Sequence, residues 1–519
     1  MNGLAISWQQ LLPITIWFVF SIQLGAKEWH VPQEISTIQE AIDLATSQDV
    51  VIVASGRFQE RIQLKAGIVV RGSPITDSRG ESLEPTILDG GGINGNLPGV
   101  EMAEGSTLDS FTITGVGRYD PDEWQKHFDS HGEELGDDEG AMQAEGSIPA
   151  ISVRGVSCTI TNCVIHHNGD VGIGIVGLPD RRTAPDVNNN TIYRNMGGGI
   201  GIAAGGEPTI KRNICRENLR AGIGCRQSNP IIIENTCCQN VRAGIGCREG
   251  GKPVIRSNTC FQNRRAGIGI RMRETMPLVE GNELYENAMA GIGCRDEASP
   301  MLIRNICRQN ALAGIGCHAA SPFMDGNRCI ENSQAGVGLE GNSHAIIQNT
   351  YCLENQLVAI GVTGGSTAII TSNQLTRTAG APPIIAVLGN SRAIIVDNQI
   401  SGGGVAAILV KGEAIIERNR LTGINIKQGN AIWGQPQSSI TVSGNHFDGY
   451  KSAISATQAN VIIRDNQIVN FGRRAILVHE STTPVYIVNN KGSSDDVSAQ
   501  IVNDDVVGSG TVERNELLP

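Results

Sequence analysis

Aromatic residues are scarce in this chain, at 4% of 519 residues. A conventional globular core of this length usually contains more rings, whereas thin and regularly stacked layers can be filled by small side chains. The chain also lacks a basic balance, since its formal net charge is -11. This argues against general nucleic-acid binding, which usually needs a basic surface and stacking aromatics.

Long apolar runs are equally rare, and the one that stands out lies at the N-terminus, from Leu11 to Leu24. A Gly-Ala pair at 25–26 follows it, as expected of a signal cleavage site. The run is short for a bilayer span. No Lys or Arg precedes Lys27, so the usual basic start is missing. We predict that residues 1–26 are a signal peptide and that the protein is secreted or periplasmic. The alternative is an uncleaved membrane anchor.

Glycine, by contrast, is abundant, with 64 residues, and much of it lies in a repeated heptapeptide. RAGIGCR occupies Arg220–Arg226 and again Arg242–Arg248, and RAGIGIR occupies Arg265–Arg271. Asparagines recur every 22 to 24 residues, at Asn213, Asn235, Asn258, Asn282, Asn305, Asn327, Asn349 and Asn373. A second series follows five residues later, at Asn218, Asn240, Asn263, Asn287, Asn310 and Asn332. Periods of this length indicate a solenoid.

Each unit is typical of three short strands separated by bends, such as Pro230–Glu234, Thr236–Cys238 and Ala243–Cys247. The units contain no segment of ten or more residues with helical periodicity. Asparagine tolerates left-handed backbone angles, and stacked asparagines can hydrogen-bond from coil to coil. We therefore predict an all-β, single-stranded parallel β-helix with three short strands and about 22–24 residues per coil.

The N-terminal part predicts a cap for the open end of the coil. Ser36–Ala45 has a Thr37/Glu40 capping box and one apolar face, so residues 27–60 form a helix-bearing cap. The stretch from Val31 to Leu64, followed by TILDGGG, resembles the opening of right-handed parallel β-helix proteins of the pectin-lyase-like superfamily. The later N-x-C-x-x-N and AGIG units are similar to their repeats. The resemblance covers about residues 29 to 515 and implies one right-handed β-helix domain over 27–519.

This resemblance implies several functions. The superfamily includes polysaccharide lyases, esterases, hydrolases and uronate epimerases. It also includes non-enzymatic members, such as periplasmic proteins that help mature a copper enzyme. The resemblance is therefore specific for fold and not for activity.

Thirteen cysteines raise the question of a metal or disulfide framework. One repeat position holds cysteine in four units but Ile270 or Leu339 in others, which is the behaviour of a core position. We expect mostly free, buried thiols. Cys237 and Cys238 should face opposite ways, which makes Cys238 the most reactive candidate.

The outward half of the heptapeptide is the candidate binding surface. Strand alternation places both glycines of each unit, Gly222 and Gly224 in the first, on the outer surface with the flanking arginines. Residues 210–308 contain 16 Lys and Arg against 9 Asp and Glu, so a bound polyanion would relieve local repulsion. The alternative is that glycine serves tight packing alone. The predicted polysaccharide-binding residues are Arg220, Arg226, Arg242, Arg248, Arg265, Arg271 and Arg295.

Two insertions interrupt the regular coils, an acidic loop over 117–147 and a second loop over 177–188. Long loops on a rigid scaffold often carry function. Paired carboxylates can act as acid and base, and histidines can carry protons. The three acids near residue 120 could also bind calcium. The resemblance implies a basic residue that removes a proton beside a uronate carboxyl. Our candidate catalytic residues are Asp120, Asp122, Glu123, His166, His167, Arg154 and Arg182, and the candidate calcium ligands are Asp120, Asp122 and Glu123.

From these observations we expect an exported β-helix whose partner is an acidic polysaccharide, with no nucleic acid and no membrane beyond the signal segment. Cleavage or epimerisation of the bound chain is a further expectation, and a lyase or uronate epimerase fits better than a glycoside hydrolase. Two alternatives stay open. One is a non-catalytic structural or carbohydrate-binding rod, and the other is a periplasmic copper-enzyme maturation protein.

Overall fold

The computed structural model describes residues 25–74, 81, 83–130, 148–424, 429–481, 483–503, 506 and 510–518. Residues 1–24 of the predicted signal segment and residues 131–147 of the acidic insertion lie outside these ranges. Within them, no helix has the length and apolar character needed to cross a bilayer.

The described chain is a parallel β-helix, as predicted, with two helices and 57 strands in three sheets. Each coil contributes one strand to each sheet in turn, and every strand pairs in parallel with its equivalent in the next coil. Sheet 1 contains Glu28–Val31, Val50–Val53, Val69–Arg71, Thr107–Asp109, Thr159–Thr161, Asp186–Asn188, Thr209–Lys211, Ile231–Ile233, Val254–Arg256, Leu278–Glu280, Met301–Ile303, Phe323–Asp325, His344–Gln348, Thr367–Thr371, Arg392–Val396, Glu413–Glu417, Ser439–Ser443, Asn460–Arg464, Val485–Val488 and Gly510–Glu513.

Sheets 2 and 3 are built in the same way. Sheet 2 contains Gly56–Phe58, Thr86–Gly92, Phe111–Val116, Val164–His166, Thr191–Tyr193, Ile214–Arg216, Thr236–Cys238, Thr259–Phe261, Glu283–Tyr285, Ile306–Arg308, Arg328–Ile330, Tyr351–Leu353, Gln374–Arg377, Gln399–Gly402, Arg420–Thr422, His446–Asp448, Gln467–Val469, Lys491–Ser493 and Glu516–Leu517. Sheet 3 contains Ile62–Gln63, Val100–Glu101, Ile151–Arg154, Ile173–Val176, Ile200–Ala203, Ile223–Arg226, Ile245–Arg248, Ile268–Arg271, Ile292–Arg295, Ile315–His318, Ala335–Glu340, Val358–Val362, Ile385–Val387, Ala406–Val410, Asn430–Gly434, Ser452–Thr457, Arg474–His479 and Gln500–Val502.

Helix α1, Ile38–Leu44, covers the N-terminal end of the coil as expected. Its N-cap is Thr37, whose side chain accepts from the backbone N–H of Glu40. Its own residues Ile38, Ala41 and Ile42 are buried in the core. The helix therefore closes the core where no further coil can stack on it.

Two buried asparagine ladders hold the coils in register. At Asn235, both the backbone N–H and the side-chain amide donate to Oδ1 of Asn258, at 2.9 and 3.0 Å. Asn258 makes the same pair of bonds to Asn282. The second ladder runs in the same way from Asn168 to Asn355. Each carboxamide thus satisfies polar groups in its own coil and its neighbour, and no buried amide is left without a partner along the ladder.

The sequence assigned one rung of the first ladder wrongly. Asn349 is exposed, and its side chain donates to Asp325 instead. The buried rung is Thr350, whose backbone N–H donates to Oδ1 of Asn373 at 2.8 Å. Spacing alone could not separate these neighbours, because Asn349 also lies in the left-handed region, with φ of 49°, which favours asparagine.

All 13 cysteines are free and buried, as predicted from their exchange with Ile and Leu. Cys238 faces the outer side of sheet 2 between Arg216 and Phe261, opposite to Cys237. Burial nevertheless raises the pKa of Cys238 to about 11. The expectation that Cys238 is reactive is therefore not supported, since the thiol stays protonated at neutral pH.

The ladder makes a stability prediction. Asn258→Ala should lower the free energy of unfolding by about 3 kcal/mol, because it leaves several buried hydrogen-bonding groups without partners. Urea unfolding followed by circular dichroism measures this change. The control is Asn349→Gly, which keeps the left-handed turn and should change the unfolding free energy by less than about 1 kcal/mol. Equal losses in the two variants would contradict the assignment of the ladder.

Candidate functional site

The outer face of sheet 3 is built from every second residue of the heptapeptide strands. In Ile223–Arg226, the side chains of Ile223 and Cys225 are buried, while Gly224 and Arg226 lie on the outside. Gly224 pairs with Gly246, and Arg226 with Arg248. The predicted outward position is therefore confirmed for the second glycine of each unit.

The first glycine of each unit is buried, which corrects the expectation that both glycines face solvent. A Cβ on Gly222 would lie 2.8 Å from the carbonyl oxygen of Gly244 and 2.9 Å from the amide of Asn240. The same obstruction, a carbonyl oxygen of the next coil at 2.5–2.9 Å, recurs at Gly172, Gly199, Gly244, Gly267, Gly291, Gly314 and Gly336. Because no Cβ fits there, these glycines let the coils approach each other at the bend before sheet 3.

The second glycines of the six units from Gly224 to Gly338 are different, because no neighbouring atom excludes a side chain there. A Cβ at any of these six positions would meet only ordinary contacts at 3.6–3.9 Å, mostly the Cβ of an alanine in the same or a neighbouring unit. Their φ angles are not in the left-handed region. We call this row the glycine floor, and it comprises Gly224, Gly246, Gly269, Gly293, Gly316 and Gly338. Six coils at about 4.8 Å spacing give it a length of roughly 24 Å.

Side chains limit the floor at both ends. A Cβ on Gly174 would meet Pro149 at 3.1 Å, and one on Gly201 would meet Val171 at 3.4 Å. At the other end, a Cβ on Gly361 would meet Val358 at 3.2 Å. The open part of the face is therefore shorter than the run of AGIG-like sequences.

An arginine ladder lies along one edge of the glycine floor, at Arg226, Arg248, Arg271 and Arg295. Glu249 pairs with both Arg226 and Arg248. No hydrogen bond or ion pair to the Arg295 guanidinium is found among the described residues, and this side chain is exposed. His318 and Glu340 continue the row, so the positive edge ends there. Stacked guanidinium groups of like charge attract anions.

The opposite edge of the floor is partly covered, in contrast to the prediction for Arg220, Arg242 and Arg265. Arg242 is only 4% exposed, and the other two are half-buried. Helix α2, Pro121–Asp129, packs over this corner, with Trp124 against Leu219 and Val241. Arg242 is therefore not a surface contact for a large ligand.

The three acids predicted as catalytic residues and calcium ligands lie at the start of helix α2, where a loop was expected. Asp120 is the N-cap and accepts from the backbone N–H groups of Asp122 and Glu123, both at 3.0 Å. Asp122 and Glu123 are exposed in the first turn. The residues from Gly25 to Leu518 that the structure describes include no group of three or more His, Cys, Asp or Glu able to hold a metal. Asp120, Asp122 and Glu123 therefore fit the capped start of a helix better than a calcium site. An Asp before a Pro is a helix-start signal that could have been read from the sequence.

A cluster of histidine and tyrosine side chains lies beside α2, at the fourth and fifth strands of sheet 2. Nδ1 of His166 is 2.6 Å from Nδ1 of His167. Tyr119 packs edge-on against His167, and Tyr193 stacks on His166, both at 4.9 Å between ring centroids. Arg194 bonds to Glu217 at 2.7 Å. The sequence predicted the histidines but missed the tyrosines. The repeat register was the available signal, since it pairs His166 with Tyr193.

Both histidines of this cluster are held neutral. Burial, together with His167 and Arg216, lowers the pKa of His166 to about 4. Burial and Arg194 also lower the pKa of His167. Burial raises the pKa of Tyr119. Since two facing Nδ1 atoms need one proton between them, one ring donates and the other accepts, and the neutral pair can take up one further proton.

The predicted catalytic arginines lie apart from this cluster. Arg154 ends its strand and is exposed, and Arg182 lies in the second insertion, 78% exposed, with a 3.4 Å contact to Glu207. His167 precedes the sheet 3 strand of its coil, whereas Arg182 follows that strand. A four-residue strand spans about 13 Å. The predicted catalytic set is thus divided between the two edges of sheet 3.

Comparison with known proteins supports the architecture. A family model described as a right-handed beta helix region matches residues 145–284, 269–385 and 380–508. These segments cover most of the chain. The protein therefore belongs to the family of right-handed β-helix proteins, and no match was found among the curated proteins.

Solved structures share this fold at low identity. The periplasmic alginate epimerase AlgG is 13% identical, with 67% of this chain and 79% of that chain covered and a TM-score of 0.38. The AlgE6 A-module of Azotobacter vinelandii, a mannuronan C-5 epimerase, is 12% identical, with 85% and 94% covered and a TM-score of 0.28. Pectate lyase Pel9A is 11% identical, with 65% and 73% covered and a TM-score of 0.33. These likenesses concern the fold alone.

The two glycine positions should respond differently to the same substitution. Gly244→Ala forces a Cβ against a backbone oxygen at 2.8 Å and should destabilise the fold. Gly246→Ala meets only Ala221, at 3.9 Å, and should leave stability unchanged or raise it by about 0.5 kcal/mol, since glycine weakens strands. Thermal unfolding of both variants measures the difference. Destabilisation by Gly246→Ala equal to that by Gly244→Ala would show that the floor glycines serve packing.

The histidine pair should make stability depend on pH. The unfolded chain binds a proton at His166 near its ordinary pKa of 6.5, whereas the folded chain does so only near 4. The folded state therefore loses stability as the pH falls from about 6.5 to about 4, and keeps it above that window. His166→Asn should flatten this dependence. Urea unfolding at pH 7, 5.5 and 4 tests the point, and an unchanged pH slope in the variant would rule out His166 as its source.

Proposed function

We propose that this protein binds an extended anionic polysaccharide along the glycine floor of sheet 3. The single observation that carries the proposal is that the floor glycines have no packing reason, yet they lie beside a continuous arginine ladder. A row without side chains lets a flat chain approach the sheet backbone closely. Guanidinium groups suit uronate or sulfate groups because they donate two parallel hydrogen bonds to one anion.

The repeat favours a polymer over a small ligand. Arg226, Arg248, Arg271 and Arg295 recur with the coil spacing of about 4.8 Å, so each can meet a successive charge of an extended chain. A small anion would use only one or two of these rungs. Such a polymer occurs outside the cytoplasm, which agrees with the signal segment proposed for residues 1–26, so we place the protein in the periplasm or outside the cell.

The histidine–tyrosine cluster supports a second, catalytic candidate function. Removal of a proton beside a uronate carboxyl needs a neutral base and a proton donor. The neutral His166–His167 pair can accept the proton, and Tyr119 can donate one. Epimerisation would return a proton to the opposite face of the sugar, whereas a lyase would expel the neighbouring sugar oxygen.

Charge reversal tests the binding surface. Arg226→Glu with Arg248→Glu should weaken binding to a polyuronate such as alginate or polygalacturonate at least tenfold, because two cationic rungs become repulsive. The matched control is Arg328→Glu with Arg420→Glu, two exposed arginines in one row of sheet 2 with the same total charge change. Calorimetry at low and high salt measures the affinity, which should fall with salt. Equal weakening in both variants, or no binding to any acidic glycan, would contradict the proposal.

A separate experiment tests catalysis. The protein should convert a polyuronate either to unsaturated chain ends, seen by ultraviolet absorbance, or to the C5 epimer, seen by proton NMR. His167→Ala and Tyr119→Phe should each lower the rate at least tenfold while the affinity for the polymer stays unchanged. Binding without either product would support the non-catalytic rod and remove the catalytic candidate.

A further inference from the structure

Sheet 1 presents an apolar stripe that the polysaccharide proposal does not use. In nine consecutive coils, an equivalent outward position of its strand is an apolar residue, and strand pairing places these side chains in one row. Six of them are between 38% and 48% exposed. We call this row the apolar stripe, and it comprises Ile231, Val254, Leu278, Met301, Phe323, Ile346, Ile369, Ile394 and Ile415.

The rows beside the stripe are mostly polar. On one side of its second half lie His344, Thr367, Arg392 and Glu413. A shallow depression of about 380 Å³ lies between them and the stripe, lined by Phe323, Ile346, Ile369 and Ile394. An apolar row of this length with a polar rim has the composition of a protein contact surface.

The size of this surface suits a stable contact between two proteins. Nine coils at about 4.8 Å spacing give a length of roughly 38 Å. Three outward rows, with about 6.6 Å between alternate residues of a strand, give a width of roughly 20 Å including the side chains. The product is about 750 Å², close to the roughly 800 Å² per partner of a standard interface.

The spacing of side chains along the stripe indicates what kind of partner can pack against it. Side chains repeat every 4.8 Å or so along the solenoid, whereas the turns of an α-helix repeat every 5.4 Å. A helix laid along the stripe would lose register by a full turn over about nine coils. In an extended strand the side chains of one face repeat every 6.6 Å or so, and such a strand would lose register with the stripe over a shorter distance. A second copy of this chain has the same spacing, so its side chains can fill the gaps of the first along the whole length.

We propose that the apolar stripe is a homodimer interface, in which the sheet 1 faces of two copies pack against each other. Two sheets pack face to face at about 10 Å, which accommodates interdigitated Ile and Phe side chains. Because sheets 1 and 3 are different faces of each coil, the dimer leaves both glycine floors open to solvent. This inference does not depend on the proposed polysaccharide binding.

The oligomeric state in solution tests the proposal. Light scattering after size exclusion, and sedimentation at micromolar concentrations, should give twice the mass of the chain. The variant Ile346→Thr, Ile369→Thr and Ile394→Thr keeps β-branched residues in the strands while removing the apolar contact. It should raise the dimer dissociation constant at least 100-fold.

The control changes one of the same strands outside the stripe. Thr367→Glu and Thr371→Glu flank Ile369 and lie at the rim, so the dimer should weaken by less than tenfold. Circular dichroism and thermal unfolding of all variants confirm that each is folded. A wild-type monomer at all concentrations would overturn the proposal. So would a dimer that the threonine variant leaves intact, because the contact would then lie elsewhere.

Discussion

The hydrogen bonds that each buried asparagine donates to the next coil are the interaction on which the rest of this molecule depends. Two donors of one asparagine, the backbone N–H and the side-chain amide, meet a single Oδ1 of the next, as between Asn235 and Asn258. This arrangement fixes the height and the rotation of each coil against its neighbour. Every residue at an equivalent position therefore stacks on its equivalents, and the surface of the protein becomes a set of straight rows.

Stacking equivalent residues in rows creates steric crowding between coils and repulsion between like charges, and the sequence contains residues that relieve both. At positions such as Gly222 and Gly244, a Cβ would lie only 2.5–2.9 Å from a carbonyl oxygen of the next coil, so glycine is required. Where like charges stack, as at Arg226 and Arg248, Glu249 offsets part of the repulsion. We propose that a bound anion compensates the remaining positive charge beside the glycine floor. On sheet 1, stacking instead produces a continuous apolar row.

Much of the fold could be predicted from the sequence, because periodic spacing translates directly into stacking. The coil length, the three strands, the capping helix and the core role of the cysteines all follow from repeated positions. The sequence could not show that Gly222 is buried while Gly224 lies on the outer face, because the bend before sheet 3 breaks the strict alternation of inward and outward residues. It could not show that Arg242 is buried at the corner where α2 packs either, since the contact of Trp124 with Val241 joins residues more than a hundred positions apart. The apolar stripe was readable in principle, but only once the register of sheet 1 was known.

The function proposed for this protein therefore depends on which face of the solenoid meets a ligand. A crystal structure of the protein with an acidic oligosaccharide, such as an oligouronate, is the most direct test. We predict density for an extended chain lying over Gly224 to Gly338, with its anionic groups toward Arg226, Arg248, Arg271 and Arg295. An oligosaccharide bound on sheet 1 or sheet 2, with the glycine floor empty, would contradict the central claim.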